Sequence, residues 1–432
     1  MTSIFWHRRD LRIEDNAGLY KALSKSTEVF PLFIFDTTIL NQLPKNDQRV
    51  IFIHQEIHRL KEEYRKLGSD LRVEYGDPVE VIPTIAKEIN ASTVFTNRDY
   101  EPYARKRDLV IFDTLKNSGI AFIGAKDHVI FEKDEVLKND GGPYTVFTPY
   151  SRKWKDTLNE HPIKSYPTVN HTESLAKLQQ SDCISLEEMG FSSEQHVEFP
   201  ARVFPTQIIK DYTQKRDFPA LSSTSKLGVH LRFGTISIRA LAREAVISNE
   251  TFLNELIWRD FYQMIIHHFP HSAKDAFREK YDRIPWEHNE AHYKAWCEGK
   301  TGYPLVDAGM RELNATGFMH NRVRMVVASF LSKHLLLDWR LGEVYFAEKL
   351  LDYDLASNVG GWQWAAGCGC DAAPYFRVFN PQSQQEKFDK DFVYIRKWVP
   401  EFGTPAYPQP IVEHSVARLR AIERYKTALN EQ

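Results

Sequence analysis

Trp362 and Trp364 follow the pair Gly360 and Gly361 and stand a few residues after Asn358. Glycine lets backbone approach a flat ligand closely, and an indole can stack, pack or carry an electron. An amide side chain can meet a ring nitrogen as donor or acceptor. The segment 352–379 therefore suggests a pocket for a redox-active aromatic cofactor. Upstream, Glu255, Trp258 and Arg259 fall at i, i+3 and i+4, which places a carboxylate, an indole and a guanidinium on one helix face. The plain alternative is an amphipathic helix with a surface ion pair. Asn321 and Met325 are i, i+4, with Arg322 about 100° round the helix. Arg322 and Arg324 adjoin the apolar run 326–331 and would be costly unpaired, so Asp352 and Asp354 are candidate partners; a structural ion-pair network is the alternative. Thr224, Ser225, Lys226, Leu227 and Gly228 could hold a pyrophosphate through hydroxyls, backbone N–H groups and a lysine, or could be an ordinary loop.

Several chemistries find no support. Cys183, Cys297, Cys368 and Cys370 form no CxxC pair and no disulfide framework, which fits a reducing, cytoplasmic setting. Cys368 and Cys370 lack two further ligands at zinc spacing, so no metal is expected. His267, His268 and His320 have no evident nucleophile partner, which speaks against a hydrolase triad. No GxGxxG follows the first strand, and the loose GxGxxA at 367–372 has no strand before it. Trp286, Trp339 and Trp362 are read singly as core tryptophans.

The elements that must position these groups divide the 432 residues in two, since single cores stop growing near roughly 250–300 residues. Apolar runs at 3–6, 29–35, 71–75, 93–96 and 120–123 read as strands. They alternate with helical patterns such as 48–67, so residues 1–125 should form an α/β domain with a parallel sheet. Residues 126–200, rich in Pro, Gly, Ser and charge, read as a long connection. From 201 to 432 the pattern is helical: 236–248, 252–268, 303–316, 323–337, 344–351 and 412–429. The net charge of −2 argues against a broadly basic nucleic-acid coat. Residues 1–200 carry 26 Lys+Arg against 31 Asp+Glu, and residues 201–432 carry 30 against 27, so a nucleic acid would meet the second half. No apolar run is long enough to span a membrane and no signal peptide opens the chain.

Taken jointly, the segments 6–16 (WHRRDLRIEDN), 146–150 (VFTPY), 216–219 (RDFP), 299–308 (GKTGYPLVDA), 319–325 (MHNRVRM) and 358–364 (NVGGWQW) resemble the DNA photolyase/cryptochrome family over nearly the whole chain. The resemblance is greatest to the class I cyclobutane pyrimidine dimer photolyases. It implies a Rossmann-like N-terminal domain and an all-α domain holding FAD. By position, Tyr212 and Thr224 to Gly228 would contact the FAD phosphates and ribityl chain. Glu255, Arg259, Asn321, Arg324, Asp352, Asp354 and Asn358 would surround its rings, with Asn358 facing flavin N5. Trp362, Trp339 and Trp286 would carry electrons from the surface to the flavin.

The same resemblance implies light-driven splitting of a flipped-out pyrimidine dimer by electron donation from reduced FAD. Glu255, Trp258, Asn321, Arg322, Met325 and Trp364 match the pocket for the damaged bases, and Arg216, Lys226, Arg322 and the region of Gln384 would contact DNA phosphates. The expected partner is UV-damaged DNA, with a monomeric protein and no membrane. A blue-light photoreceptor of the cryptochrome type and a (6-4) photoproduct lyase are the rivals. Lys226, Gly228 and Phe252 differ from many relatives. The 100–104 stretch lacks the Asn-Glu pair of folate-binding members, so the antenna chromophore, whether deazaflavin, second flavin or none, stays open.

Overall fold

A computed structural model describes residues 1–430 as two compact units, each considered by itself. The first comprises residues 1–136, 153–204 and 227–247, and the second residues 137–152, 205–226 and 248–432. The first unit is α/β. Its strands β1 (Thr2–His7), β2 (Glu28–Asp36), β3 (Arg72–Gly76), β4 (Thr93–Asn97) and β5 (Ala121–Ala125) form one parallel sheet in the order β3-β2-β1-β4-β5. Crossover helices α1 (Ala17–Lys25), α2 (Gln48–Lys66), α3 (Pro78–Glu88) and α4 (Pro102–Asn117) connect them, as parallel pairing demands. Strand alternation sorts β1 between two cores: Phe5 joins one cluster, while Ile4 and Trp6 join the other. Asn16 starts α1 by accepting from the Leu19 N–H, and Asp77 starts α3 by accepting from Val79.

The boundaries depart from those read in the sequence. Residues 137–152 cluster with the second unit and 227–247 with the first, where Arg239 pairs with Asp15 and Asp127. The expected connection also contains a helix at Phe147–Glu160.

The second unit is helical. Its site-bearing elements are α5 (Thr206–Lys215), α6 (Glu250–His268), α7 (Pro304–Thr316), α8 (Asn321–Ser329), α9 (Trp339–Lys349), α10 (Leu355–Ala366) and α11 (His414–Asn430). The expected helix 323–337 stops at Ser329 and passes into a π-helical turn, Phe330–His334. That turn buries Lys333, whose ammonium donates to the Arg377 carbonyl at 2.8 Å and whose pKa burial pushes down to about 8. Helix α10, absent from the expected set, contains two glycines that cost roughly 1 kcal/mol each. It is held at its start by Asp354, which accepts from the Ser357 N–H, and at its end by Gly367 at φ +92°. Among the described residues no helix is long and apolar enough to cross a membrane.

Candidate active site in the helical unit

Helices α6, α8 and α10 bring most of the singled-out residues to the wall of one cavity of about 420 Å³, within the range of ligand pockets. Asn249 starts α6 by accepting from Phe252 N–H at 3.0 Å, and the first turn carries Glu250. From α6 come Glu255, Trp258 and Arg259; from α8 Asn321, Arg324 and Met325; from α10 Asn358, Trp362 and Trp364. Arg216, Asp352 and Asp354 complete the set.

The ion pairs agree with those expected at Arg324 and differ elsewhere. Glu255 pairs with Arg216 just past α5, not within its own helix. Burial raises the Glu255 pKa and the Arg216 guanidinium opposes the rise. Arg324 does pair with Asp352, through two contacts of 2.9 and 3.1 Å to one nitrogen. Arg322 instead pairs with Asp217 at 2.7 Å and covers the Phe388 ring at 4.5 Å. Asp354 accepts from Gln263 at 3.1 Å while capping α10. Arg216, Asp217 and Gln263 come from other elements than the residues they meet, so helical spacing alone could not have found them.

Asn358 donates its amide N–H groups to the carbonyl and the carboxyl of Glu343 on α9, at 3.1 and 3.0 Å. Glu343 is a residue that sequence reasoning missed; burial raises its pKa. Phe147 stacks face to face on Trp258, with centroids 3.7 Å apart and planes 3° from parallel. Tyr262, one turn beyond Trp258, also lines the cavity, and its i, i+4 spacing was the available signal.

Other candidates stand apart. Tyr212, Thr224, Ser225, Lys226, Arg322 and Gln384 are not in the cavity wall, and Leu227 and Gly228 cluster with the α/β unit. Tyr212 packs edge-on against Phe252 at 5.0 Å, and Lys226 covers Phe318 at 5.1 Å. Trp286, Trp339 and Trp362 share one hydrophobic cluster. No ring contact among the described residues joins two of them; Trp362 meets Trp296 at 6.1 Å and Phe346 at 5.0 Å. Cys368 and Cys370 are buried free thiols, and burial pushes the Cys370 thiol up to about 12.

The wall fits a flat, polar-edged cofactor. A Cβ placed on Gly361 would meet nothing within 4 Å, so this glycine opens onto free space. One placed on Gly360 would strike the Tyr262 ring at 2.3 Å, so only the second glycine of the pair serves the cavity. The Trp362 indole nitrogen is buried without a partner among the described residues. Such a group costs about 1–3 kcal/mol unless a ligand or water meets it.

Fold and site together define an α/β unit and a helical unit whose cavity suits a flat, polar-edged cofactor, and comparison with known proteins supplies the family. Residues 252–405 match the FAD binding domain of DNA photolyase, and residues 3–168 match the DNA photolyase domain. The deoxyribodipyrimidine photo-lyase of Synechococcus sp. is 38% identical, covering 99% of this chain and 96% of that protein. A bacterial class III photolyase from Agrobacterium tumefaciens superposes with a TM-score of 0.88 at 32% identity, over 99% of this chain and 97% of that one. An archaeal photolyase from Sulfolobus tokodaii with two FAD molecules gives 0.83 at 35% identity, over 99% and 100%. The chain belongs to the DNA photolyase family and carries its FAD-binding domain.

Proposed function

We propose that this protein is a light-driven DNA repair lyase acting on cyclobutane pyrimidine dimers in UV-damaged DNA. The observation that carries this reading is the joint placement of Glu255, Trp258, Asn358, Trp362 and Trp364 around one cavity whose wall fits FAD. When bound, FAD supplies one-electron donation under light, with no net redox change over the cycle. Arg324, Asp352, Asp354, Arg259 and Asn321, which line the cavity, would hold the cofactor. Because Glu343 accepts from the Asn358 N–H groups, the Asn358 amide oxygen is left as the acceptor for a ring N–H.

On the substrate side, Trp258 is held flat by Phe147 and wedges the apolar edge of the dimer with Trp364. Flipping a dimer out costs less than flipping a normal pair. Oxygen Oε1 of Glu255 takes the Arg216 guanidinium, and Oε2 is the oxygen assigned to the base edge. Arg216, Lys226, Arg322 and Gln384 contact phosphates, which position the site without reading sequence. Trp362, Trp339 and Trp286, which belong to one hydrophobic cluster, would supply a route for electrons between the surface and the cofactor. Met325 packs on the dimer.

The test is illumination of the reduced protein with oligonucleotides carrying a cyclobutane dimer or a (6-4) photoproduct, beside dark controls. Light-dependent restoration of the cyclobutane dimer alone is expected. Restoration of only the (6-4) product, or of neither, rejects the proposal; the second result favours a signalling photoreceptor.

A further inference from the structure

Photochemistry in the helical unit leaves one chemistry-bearing cluster of the α/β unit unused. His54 and His58 stand one turn apart on α2, and their rings lie 4.6 Å apart at 65°. The segment around Cys183 runs alongside: Ser181 donates its N–H to Asp70 at 2.9 Å, and the buried Lys61 ammonium donates to the Ser181 hydroxyl at 3.2 Å. One ligand atom from each of His54, His58 and Cys183 lies within 4.8 Å of the other two. Cys183 is a free thiol, half-buried, and His58 is exposed, so an ion can reach the cluster from solvent.

A second observation sets one imidazole for ligation. The Ile184 carbonyl lies 2.9 Å from His54 Nε2. A carbonyl only accepts, so Nε2 carries the proton and Nδ1 keeps its lone pair. Metal-binding histidines are characteristically held this way by a carbonyl behind the ring. Glu62 and Glu187 lie near the two histidines, but the ligand set itself is two imidazoles and a thiolate, which suits a borderline-soft ion better than calcium or magnesium.

We propose that His54, His58 and Cys183 form a zinc site, with water as the fourth ligand, that clips α2 to the segment around residue 183. Ligand atoms on tetrahedral zinc sit about 3.3–3.5 Å apart, given bonds of about 2.0 Å to nitrogen and 2.3 Å to sulfur. Closing the cluster therefore takes rotamer adjustments on the order of 1 Å. Binding forms one Zn–S and two Zn–N bonds and releases the thiol proton to solvent, with no change of oxidation state. The expectation of no metal was drawn from Cys368 and Cys370 and did not consider this cluster, in which Cys183 lies 125 residues beyond His58.

The experiment uses untagged, FAD-loaded protein incubated with zinc chloride and desalted, followed by metal analysis and zinc K-edge X-ray absorption. One zinc per chain is expected, with a sulfur scatterer near 2.3 Å beside nitrogen or oxygen near 2.0 Å. Cys183→Ser should lose the sulfur signal, and His58→Ala, at an exposed position, should lose most of the retained zinc with repair activity unchanged. Zinc should also raise the melting temperature of the unaltered protein and not that of His58→Ala. Zinc content equal in all three proteins, or a shell without sulfur in the unaltered one, overturns the proposal.

Discussion

Buried charge is handled in opposite ways by the two units. In the α/β unit, Arg12 and Arg239 both reach Asp127, and Arg239 also reaches Asp15. Burial alone would raise the Asp127 pKa, yet the two guanidiniums hold it well below the usual carboxylate range. Lys61 is likewise closed off by Asp70 and the Leu71 carbonyl. In the helical unit, Glu255, Arg216, Arg324, Asp352 and Asp354 are paired or capped and still face a cavity. Arg239 borders a cavity of the α/β unit, but Asp15 and Asp127 do not, so their carboxylates are closed off and hold the fold, whereas the carboxylates of the helical unit face open space and are available to a ligand. The contrast also explains why an ion-pair network and a binding site read alike in sequence: pairing alone does not separate them, and a carboxylate exposed to a cavity does.

That contrast can be broken by mutation. Asp127→Ala leaves Arg12 and Arg239 facing each other without their shared carboxylate, and should cost about 3–5 kcal/mol of stability. Repair per folded, FAD-loaded molecule should hold, as chemical denaturation and activity on the soluble fraction would reveal. Arg324→Ala should do the reverse. Its loss of about 1.5–3 kcal/mol should fall on FAD retention after gel filtration, with a smaller effect on the melting temperature of the apoprotein. Were Arg324→Ala to unfold the protein while keeping FAD affinity, the open network would be structural after all.

The pH response offers a gentler version. Burial, helped by the Arg324 guanidinium, pushes His320 down to about 4, and burial pushes His334 down to about 3. Between the ordinary histidine value and these folded values the unfolded chain binds more protons, so stability falls as pH drops from about 6.5 toward 4. For His320 the loss should be about 2 kcal/mol at pH 5. His320→Asn keeps a side chain able to cap α8, where His320 now accepts from the Arg322 N–H at 3.2 Å. Its melting temperature should therefore depend less on pH than that of the unaltered protein.

Among the tryptophans, Trp286→Phe should slow photoreduction of the oxidised protein and spare repair by protein reduced chemically. Equal loss of both would assign Trp286, which packs against Tyr425 at 6.0 Å, to structure alone.

The sheet was legible because its strands are apolar runs separated by helical repeats, a pattern that leaves few topologies. Helix α10 was not, since its glycine pair lowers helix propensity and its stability comes from the Asp354 cap and from packing around Trp362. The side-chain types of the site were visible: Trp258, Asn358 and Trp364 declare themselves. Their supports were invisible. Glu343 behind Asn358, Phe147 against Trp258 and Asp217 beside Arg322 are joined only by tertiary folding, and the His54, His58 and Cys183 cluster is a more extreme case of the same limit.

The account rests most heavily on a carboxylate that faces the cavity serving the reaction and not the fold. The direct measurement is the repair quantum yield for a cyclobutane-dimer oligonucleotide with FAD-loaded, reduced Glu255→Ala beside the unaltered protein. The yield should drop several-fold while FAD content, flavin spectrum and melting temperature stay as they were. An unchanged yield, or a drop matched by loss of FAD and of folding, would contradict the claim.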